Sequence, residues 1–383
     1  MRDFTLIIPT YNRAPLLAAL LTYLETEKAD CRVLVLDSSR PDVLAVNRAR
    51  VAASSLDTEF AEFGELMLDE KWRQGIKKVS TPYCALCADD DLVILEGVRR
   101  CLDALKGNPA ASAVQGFSFT FLPRPDGNME LNNIVYFSPS IDAGSPLQRL
   151  TSLFEQYQAP SYGAFRTATL QRIFDTLQPM TKILPRELLW SALTVIEGHL
   201  IRLPDFSYGR SMGPSGAYEH WHPLEWFSKD PDGLFADYLR YRDLMANVII
   251  QQPDNQQRPE DVNGLLDLIH FRYLTKHAPD SVLEFITEQQ MTGVGFKKYW
   301  PRHEIHLPLY EAAGIGASEE AQTLGPVNMR GRERSYILFP SFYAPLGIEP
   351  PRMDSIIRLI GILDKYQPVS TKMSAQQVRN DPR

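Results

Sequence analysis

Three adjacent carboxylates, Asp89, Asp90 and Asp91, follow a run of small and apolar residues from Tyr83 to Ala88. The run is too short for a helix, and its composition predicts a buried strand. Three like charges at the end of such a strand repel one another, and a divalent cation would offset that repulsion. Hard oxygen ligands on one short turn suit Mg²⁺ or Mn²⁺. A solvated loop that caps the next helix is an equally simple interpretation of this acidic triplet, because Asp is a favoured N-cap residue.

Two more polar clusters follow predicted strands near the start of the chain. Phe4–Pro9 and Cys31–Leu36 are apolar runs that predict parallel strands, and they are followed by the polar stretches Thr10–Arg13 and Asp37–Ser39. Apolar residues recur at helical spacing over 14–27, so the segment predicts a right-handed βαβ unit. In open α/β sheets, ligands bind beyond the carboxyl ends of the strands. The two clusters and the acidic triplet are therefore expected to meet at one rim.

The sequence lacks the common nucleotide-binding motifs. No G-x-G-x-x-G follows either strand, which disfavours a standard dinucleotide fold, and no Walker A sequence is present. A predicted helix over Leu68–Val79 carries four basic residues that would either face a ligand or form a solvated surface. These residues are Lys71, Arg73, Lys77 and Lys78.

The composition is that of an ordinary globular protein and narrows the function classes. The 383 residues are 44% hydrophobic and 23% charged, and a chain of this length predicts two or three domains. A net charge of −7 disfavours nucleic acid as a partner. The sequence has no apolar run of the roughly 20 residues needed to cross a bilayer. No signal peptide precedes the first strand, so we expect a cytoplasmic protein.

The order and spacing of the three polar clusters resemble the nucleotide-sugar half of a GT-A fold glycosyltransferase of the family 2 type. The resemblance rests on Pro9–Arg13, Asp37–Ser39 and the acidic triplet, and it covers roughly the first 125 residues. It implies an α/β fold in which a Rossmann-like mixed sheet is flanked by helices. It also implies Mg²⁺ or Mn²⁺ at the triplet, where the cation would neutralise the charge of a diphosphate leaving group.

The resemblance also assigns roles to individual residues. Asp37 would hydrogen-bond the base, commonly uracil, and the triplet stands where the family keeps its D-x-D-type motif. Asp89 and Asp91 would share the contacts to the ribose and the metal, with Asp91 as the preferred metal ligand and a catalytic residue. The other residues expected to border the nucleotide-sugar are Pro9, Thr10, Tyr11, Arg13, Ser38, Lys71 and Asp90.

The chain departs from the family pattern at two positions. Many relatives have an Asp where this chain has Ala88, and most have Asp where this chain has Ser38. The identity of the metal ligand and the preference for one base therefore stay open at this point.

The middle of the chain, 126–229, is expected to bind the acceptor. Ser112–Leu122 predicts a strand that leads into this region, and Pro123–Asn133 predicts a turn-rich loop. In the resembling family a Tyr-Gly or Trp-Gly element lies under the donor sugar, and Tyr162–Gly163 matches it. A packed tyrosine beside a β-bulge glycine is an equally good interpretation of this pair.

Glu187 is the candidate catalytic base. It lies in the first turn of a predicted apolar helix over Arg186–Ile196, and the segment 198–203 after this helix predicts a strand. An enzyme that inverts the anomeric configuration needs a carboxylate near the acceptor hydroxyl, and in the resembling family this base stands at the start of such a helix. The alternative is a first-turn Glu that complements the helix dipole. Glu197, at the far end of the helix, is a weaker candidate for the same role.

A glycine-rich and aromatic segment, Ser207–His222, predicts a long loop of the kind that often serves as a lid or binding loop. In many GT-A enzymes a histidine or a flexible loop from this region reaches the metal or the diphosphate. His220 is the candidate for that role and His222 the second choice. Surface imidazoles beside a packed Trp221 are the alternative.

The region from 230 to 383 predicts a mainly helical unit of domain size. Helical periodicity is present over Leu234–Ile250, Val262–Lys276, Ser281–Glu288 and Asp354–Lys365, and the polar stretch from Thr371 predicts a mobile tail. This region is expected to extend the acceptor cleft, to form a homo-oligomer or to contact a partner enzyme.

Together these observations predict a nucleotide-sugar half at 1–125, an acceptor half at 126–229 and a helical region at 230–383. The predicted activity is metal-dependent transfer of a sugar, with UDP as the expected nucleotide, to a glycan, a lipid-linked sugar or a small molecule, as in polysaccharide biosynthesis. A catalytically inactive GT-A-like binding or assembly module is the main alternative. A nucleotidyltransferase is disfavoured, because Thr10–Leu16 lacks a Gly-rich basic loop.

Overall fold

The structure is a computed structural model of the 383-residue chain. It describes residues 1–64, 66, 68–123, 129–135, 138–142, 144–177, 183–212, 231–276, 343 and 347–365.

One mixed sheet of nine strands organises the described residues. Its strand order is β3-β2-β1-β4-β8-β6-β9-β5, and β7 pairs with the outer half of β6. The strands are β1 (Phe4–Thr10), β2 (Arg32–Asp37), β3 (Asp57–Glu62), β4 (Tyr83–Leu86), β5 (Leu92–Val93), β6 (Ala111–Pro123), β7 (Met129–Val135), β8 (Ala164–Arg166) and β9 (His199–Ser211).

Helices cover both faces of this sheet. They are α1 (Ala14–Thr26), α2 (Pro41–Ala52), α3 (Leu68–Ile76), α4 (Leu95–Gly107), α5 (Pro146–Glu155), α6 (Thr167–Thr176), α7 (Ile183–Glu197), α8 (Pro231–Gln251), α9 (Pro259–Lys276) and α10 (Met353–Lys365). One hydrophobic core lies between the sheet and α1, α2, α4 and α10. A second core lies on the opposite face under α3 and α5–α9. Because both faces are covered, the parallel strands β1, β2 and β4 are largely apolar, as the sequence predicted.

The predicted βαβ unit is present and determines where the polar clusters meet. β1 is parallel to both β2 and β4, and Thr10 pairs in register with Asp37. The three strands therefore end at the same rim. The prediction of a Rossmann-like mixed sheet flanked by helices is confirmed.

The last strand of the sheet is longer than the sequence predicted. The segment from Ser207 was expected to be a loop, whereas β9 continues to Ser211 alongside β6. Pro204 cannot donate to a strand ladder, and strands usually end at such a residue. Here the register shifts between Gly116 and Phe117 of β6, so that Pro204 and the residue after it are accommodated in a bulge. Pairing with β6 continues beyond the bulge, with a second register shift between Phe117 and Ser118, and it brings the end of β9 to the rim.

Two further boundaries differ from the predictions. β6 extends to Pro123 and β7 pairs back on it, so that most of the predicted loop over Pro123–Asn133 is strand, with 124–128 outside the described residues. α7 begins at Ile183 rather than Arg186. A propensity-based boundary is uncertain by a turn when no capping residue marks the helix start.

The C-terminal region is helical where the structure describes it. Three of the four predicted helices correspond to α8, α9 and α10; Ser281–Glu288 and the tail from Thr371 lie outside the described residues. α8 packs on α7, α9 packs on α5, and α10 packs on β9 and β7. Among the helices of the described ranges, none is both long and apolar enough to cross a membrane.

Close contact between α4 and β9 depends on Gly97. A Cβ atom at this position would lie 2.0 Å from the carbonyl oxygen of Phe206, a backbone atom that cannot move without displacing the strand. Gly97→Ala is therefore expected to lower the free energy of unfolding by about 3 kcal/mol, measured by urea denaturation.

Gly107→Ala is the matched control, because this residue ends the same helix with open space around its Cα. It is expected to raise the free energy of unfolding by at most about 1 kcal/mol. Equal destabilisation by the two substitutions would contradict the close approach of α4 and β9.

Candidate functional site

The acidic triplet forms the turn between β4 and β5 at the rim of the sheet. The amide of Cys87 donates to the carbonyl oxygen of Ile7 at 3.0 Å, which ties the start of this turn to β1. Asp89 and Asp91 are each 4% exposed, whereas the side chain of Asp90 is 34% exposed. The triplet thus presents one accessible carboxylate between two buried ones.

The loop after β1 supplies donors to the triplet. The Thr10 hydroxyl donates to Asp89 Oδ2 at 2.7 Å. The guanidinium of Arg13 lies 3.3 Å from Asp89 Oδ1 and 3.2 Å from Asp90 Oδ2, and this side chain is 49% exposed. Arg13 therefore contacts two of the acids from the solvent side.

Strand β9 supplies the donors to Asp91. The Tyr208 hydroxyl donates to Asp91 Oδ2 at 2.6 Å, and the amide of Ser211 donates to Asp91 Oδ1 at 2.8 Å. Burial, and then repulsion by Asp90, raise the pKa of Asp91 to about 8 and that of Asp89 to about 6. The donors only partly offset these effects, so the cluster favours a bound cation electrostatically.

The loops after β1 and β2 are joined by side-chain hydrogen bonds. Asn12 adopts a φ of 53°, in the left-handed region that Asn tolerates. Its amide donates to Ser39 Oγ at 2.8 Å, and its side-chain oxygen accepts from the amide of Arg40 at 3.0 Å. The two loops form one continuous wall of the rim as a result.

Asp37 is fully buried behind this wall. Its Oδ1 accepts from the amide of Ser39 at 2.7 Å, and its Oδ2 accepts from the Asn47 side chain at 2.7 Å. The described contacts of Asp37 therefore shape the loop, and a direct contact with a base stays a prediction.

Lys71 joins the first two loops from beneath. Its ammonium donates to the carbonyl oxygen of Thr10 at 2.8 Å and to Ser38 Oγ at 2.9 Å, and the residue is only 2% exposed. Burial lowers the pKa of Lys71 to about 8, although Asp89 and Asp37 act in the opposite direction. The other predicted donor-site residues of this region, Pro9 and Tyr11, lie at the end of β1 and directly after it.

The predicted Tyr-Gly element lies beside the triplet. The ring of Tyr162 stacks on that of Tyr208 with the centroids 4.2 Å apart, and Tyr208 donates to Asp91. A Cβ atom on Gly163 would lie 3.0 Å from the carbonyl oxygen of Val114, so a larger residue would crowd the neighbouring strand. Tyr162 is thus a packed residue next to the acids, and a contact with the donor sugar remains a prediction.

Glu187 belongs to a different set of contacts. The Tyr157 hydroxyl lies 3.3 Å from Glu187 Oε1 and 3.0 Å from Ser191 Oγ. Because α7 begins at Ile183, Glu187 stands in its second turn, and the alternative of a first-turn acid is wrong. Glu197 forms an ion pair with Arg172 at 2.7 Å.

Comparisons with known proteins were made against families, curated sequences and solved structures. The family model "Glycosyl transferase family 2" matches residues 5–174, which include β1, β2, β4 and the acidic triplet. The chain is thus similar to family 2 glycosyltransferases over residues 5–174, a little less than half of its length. The predicted resemblance and the predicted enzyme class, a glycosyltransferase, are confirmed by this match. The comparison with curated protein sequences finds no match.

Solved structures with a similar fold include glycosyltransferases from two organisms. TarS 1–349 of S. aureus in complex with UDP-GlcNAc has a TM-score of 0.51 at 14% identity, over 85% of this chain and 84% of that one. The chain covers 54% of the longer S. aureus TarS, with a TM-score of 0.47 at 15% identity. The mannosyltransferase PcManGT of Pyrobaculum calidifontis, in complex with GDP-Man and Mn²⁺, has a TM-score of 0.43 at 15% identity over 84% of this chain and 83% of that one.

The three carboxylates of the triplet do not form a complete metal site by themselves. No group of three His, Cys, Asp or Glu side chains in the described ranges is arranged to hold a metal ion. Both oxygens of Asp91 accept from protein donors, and Asp90 has the most accessible carboxylate of the three. These residues fit a cation that takes most of its ligands from a diphosphate and water, as Mg²⁺ commonly does. His220 and His222 lie outside the described residues.

Sequence reasoning missed several residues of this rim. Tyr208, Ser211 and Arg210 were assigned to a loop, although alternation beyond Pro204 could have indicated a strand. Asn12 and Asn47 gave no signal, because their roles depend on the register between β1 and β2.

A cavity of about 640 Å³ lies elsewhere, between the segment 138–141, α5 and α9. None of the predicted site residues lines it. Its walls include Phe154, Tyr273 and Arg272.

The two roles of Asp37 can be separated by comparing two substitutions. Asp37→Ala removes the carboxylate, whereas Asn47→Ala removes one donor that shapes the same loop. If Asp37 also binds the base, Asp37→Ala should weaken UDP binding about tenfold more than Asn47→Ala, because a hydrogen bond to a charged group contributes about 1.5–3 kcal/mol. Isothermal titration calorimetry with UDP gives the dissociation constants, and urea denaturation shows whether the two variants are equally stable. Equal weakening of UDP binding would restrict Asp37 to the loop.

Proposed function

We propose that this family 2 glycosyltransferase transfers a sugar from a UDP-linked donor with the help of Mg²⁺ or Mn²⁺ at the acidic triplet. The observation that supports this proposal is the convergence of Thr10, Arg13 and the triplet at one rim within the family 2 domain. The acceptor is a glycan, a lipid-linked sugar or a small molecule.

Nearby positive charge and a structure of similar fold support the proposal of a UDP-linked sugar donor. Arg13, Lys71 and Arg210 all lie near the triplet, and Arg13 contacts it from the solvent side, where a diphosphate beside a bound cation would be electrostatically favoured. UDP is the first nucleotide to test, because the family commonly recognises uracil and because TarS, which shares the fold, was found with UDP-GlcNAc. Thr10, Tyr11 and Ser38 would border the nucleotide.

The metal would bind on the solvent side of the triplet. Asp90 offers the accessible oxygen, with Asp89 and Asp91 behind it. His220, outside the described residues, is retained as a further candidate ligand. A bound cation would neutralise the negative charge that develops on the leaving diphosphate. In this proposal the protein holds the carboxylates close together and keeps Arg13 beside them.

Asp90→Asn should remove the metal dependence of UDP binding while leaving the fold intact. The substitution keeps the shape of the side chain and removes the accessible negative charge. We expect MnCl₂ to tighten UDP binding by the parent protein at least about tenfold, or about 1.4 kcal/mol, and to have no such effect on the variant. Calorimetry with and without the metal measures this difference.

Asp57→Asn makes the same charge change at the opposite end of the sheet and serves as the control, since Asp57 is 67% exposed at the start of β3. The metal assignment fails if Asp90→Asn and Asp57→Asn respond to MnCl₂ alike. Hydrolysis of UDP-sugars without an acceptor, with and without the metal, would then distinguish an inactive binding module from an enzyme.

Glu187 is proposed as the general base of an inverting transfer. It is half-buried in α7, and Tyr157 holds its carboxylate. Glu187→Gln keeps an oxygen that can accept from Tyr157 but removes the basicity. We expect kcat to fall by about 10²-fold with an unchanged dissociation constant for the donor.

Glu197→Gln is the matched control, because it makes the same chemical change at the other end of α7 and breaks only the ion pair with Arg172. It should leave kcat within about twofold of the parent, since an exposed ion pair contributes little to stability. A product with retained anomeric configuration would remove the base role from Glu187.

The rest of the proposal assigns a role to each region of the chain. We propose that residues 1–125 bind the nucleotide-sugar, that 126–229 bind the acceptor and that 230–383 extend the acceptor cleft or form an oligomer. Tyr162 and Gly163 would lie under the donor sugar, and a cytoplasmic location in polysaccharide biosynthesis fits the proposed activity.

A further inference from the structure

The turn that carries the acidic triplet is held from both ends by one tyrosine of β9. The Tyr208 hydroxyl donates to Asp91 Oδ2 at 2.6 Å and lies 3.3 Å from the amide of Ala88, which donates to it. Ala88 and Asp91 are the first and last residues of this turn, and Asp90 stands between them. One hydroxyl group therefore bridges the two ends of the turn that presents the accessible carboxylate.

Tyr208 itself has little freedom to move. Its side chain is 1% exposed, and its ring stacks on that of Tyr162 with a centroid separation of 4.2 Å. The amide of Ile94 donates to the carbonyl oxygen of the preceding residue, Ser207, at 3.0 Å. The position of the hydroxyl is therefore determined by the position of β9.

The C-terminal helix α10 holds β9 at its bulge, directly before Tyr208. The Ser355 hydroxyl accepts from the amide of Phe206 at 2.8 Å, and the amide of Arg352 donates to the carbonyl oxygen of Pro204 at 2.8 Å. These contacts give two polar backbone groups of the bulge a hydrogen-bond partner. The start of α10 and the residue before it therefore contact β9 two to four positions before Tyr208.

Ion pairs strengthen the same contact. Asp205 is 2% exposed and pairs with Arg100 of α4, which also pairs with Asp354 of α10. The guanidinium of Arg352 lies 3.8 Å from the second oxygen of Asp205. A buried carboxylate that loses such partners is strongly destabilising. The charge of Asp205 therefore links the position of the bulge to the docking of α10.

We propose that Tyr208 is a positioning residue for sugar transfer, whose hydroxyl fixes the turn 88–91, and that the docking of α10 on the β9 bulge sets the position of this hydroxyl. The inference rests on the proposed function and extends it to residues outside the family 2 match, which ends at residue 174. Tyr208 acts through the carboxylates and the turn.

Tyr208→Phe tests the first half of the proposal, because it removes the hydroxyl and keeps the ring. We expect hydrogen–deuterium exchange of the peptide 88–94 to become about tenfold faster, since the loss of a hydrogen bond of about 1.4 kcal/mol changes an opening equilibrium by that factor. The affinity for UDP in the presence of MnCl₂ should fall several-fold, and the affinity without metal should not change.

Tyr241→Phe is the matched control, because Tyr241 is also a buried tyrosine whose hydroxyl has a partner, His270, at 2.6 Å. It should leave the exchange of peptide 88–94 and the binding of UDP unchanged. If Tyr208→Phe leaves the exchange of this peptide at the rate of the parent, the positioning role is overturned. Exchange requires no substrate, so this result is independent of whether the parent protein binds UDP.

Ser355→Ala tests the second half, with Ser152→Ala as its control, because the Ser152 hydroxyl donates to the carbonyl oxygen of Gln148 within its own helix, α5. Ser355→Ala should accelerate exchange of peptide 88–94 in the same direction as Tyr208→Phe, and Ser152→Ala should not. The double variant should exchange no faster than Tyr208→Phe alone, because both substitutions act through one hydroxyl. Additive effects in the double variant, or no effect of Ser355→Ala, would overturn the coupling to α10.

A parent protein that shows no metal-dependent UDP binding would contradict the proposed function and not the positioning of the turn. Conversely, metal-dependent binding that is the same in the parent and in Tyr208→Phe would leave the proposed function intact and remove Tyr208 from it.

Discussion

Mutual repulsion among three carboxylates, two of them buried, is the constraint on which this rim depends. Burial alone opposes ionisation of Asp89 and Asp91, and the charge of Asp90 adds to the effect on both pKa values. The surrounding residues are accordingly donors or cations: a hydroxyl and a guanidinium from the β1 loop, and a hydroxyl and an amide from β9. A chain that kept this cluster only for stability would do better with apolar residues. The arrangement is therefore an anionic cluster whose repulsion the protein's own donors only partly offset.

The sheet brings these donors together from distant parts of the chain. Parallel pairing of β1 with β2 and β4 puts three strand ends at one level, and the parallel pairing of β9 with β6 adds a fourth. Lys71 and the pair formed by Asn12 and Ser39 then fix the loops relative to one another. The site is thus built by strand order first and by side-chain hydrogen bonds second.

The sequence was sufficient to predict the N-terminal strands that carry the polar clusters. Apolar runs, helical spacing and the three polar clusters identified β1, α1, β2 and β4 to within a few residues, because these patterns are local. β9 was cut short at Pro204, since local rules cannot foresee a bulge that depends on pairing with β6. The role of Tyr208 was missed for that reason, and the contacts of Asn47 and Glu187 depended equally on tertiary packing. Pattern and resemblance could propose Asp37 and Asp91 as site residues, whereas they could not identify Asn47 and Tyr208, which contact them.

The long sequence separation of these contacts has a consequence for the time at which the rim is assembled. Ala88 and Tyr208 are 120 positions apart, and Phe206 and Ser355 are 149 positions apart. Contacts this distant form slowly, because a long loop must close before they can contribute. During synthesis, β1, β2 and β4 leave the ribosome well before α10 does. The contact of α10 that supports β9 at the rim can therefore form only after residue 355 has emerged.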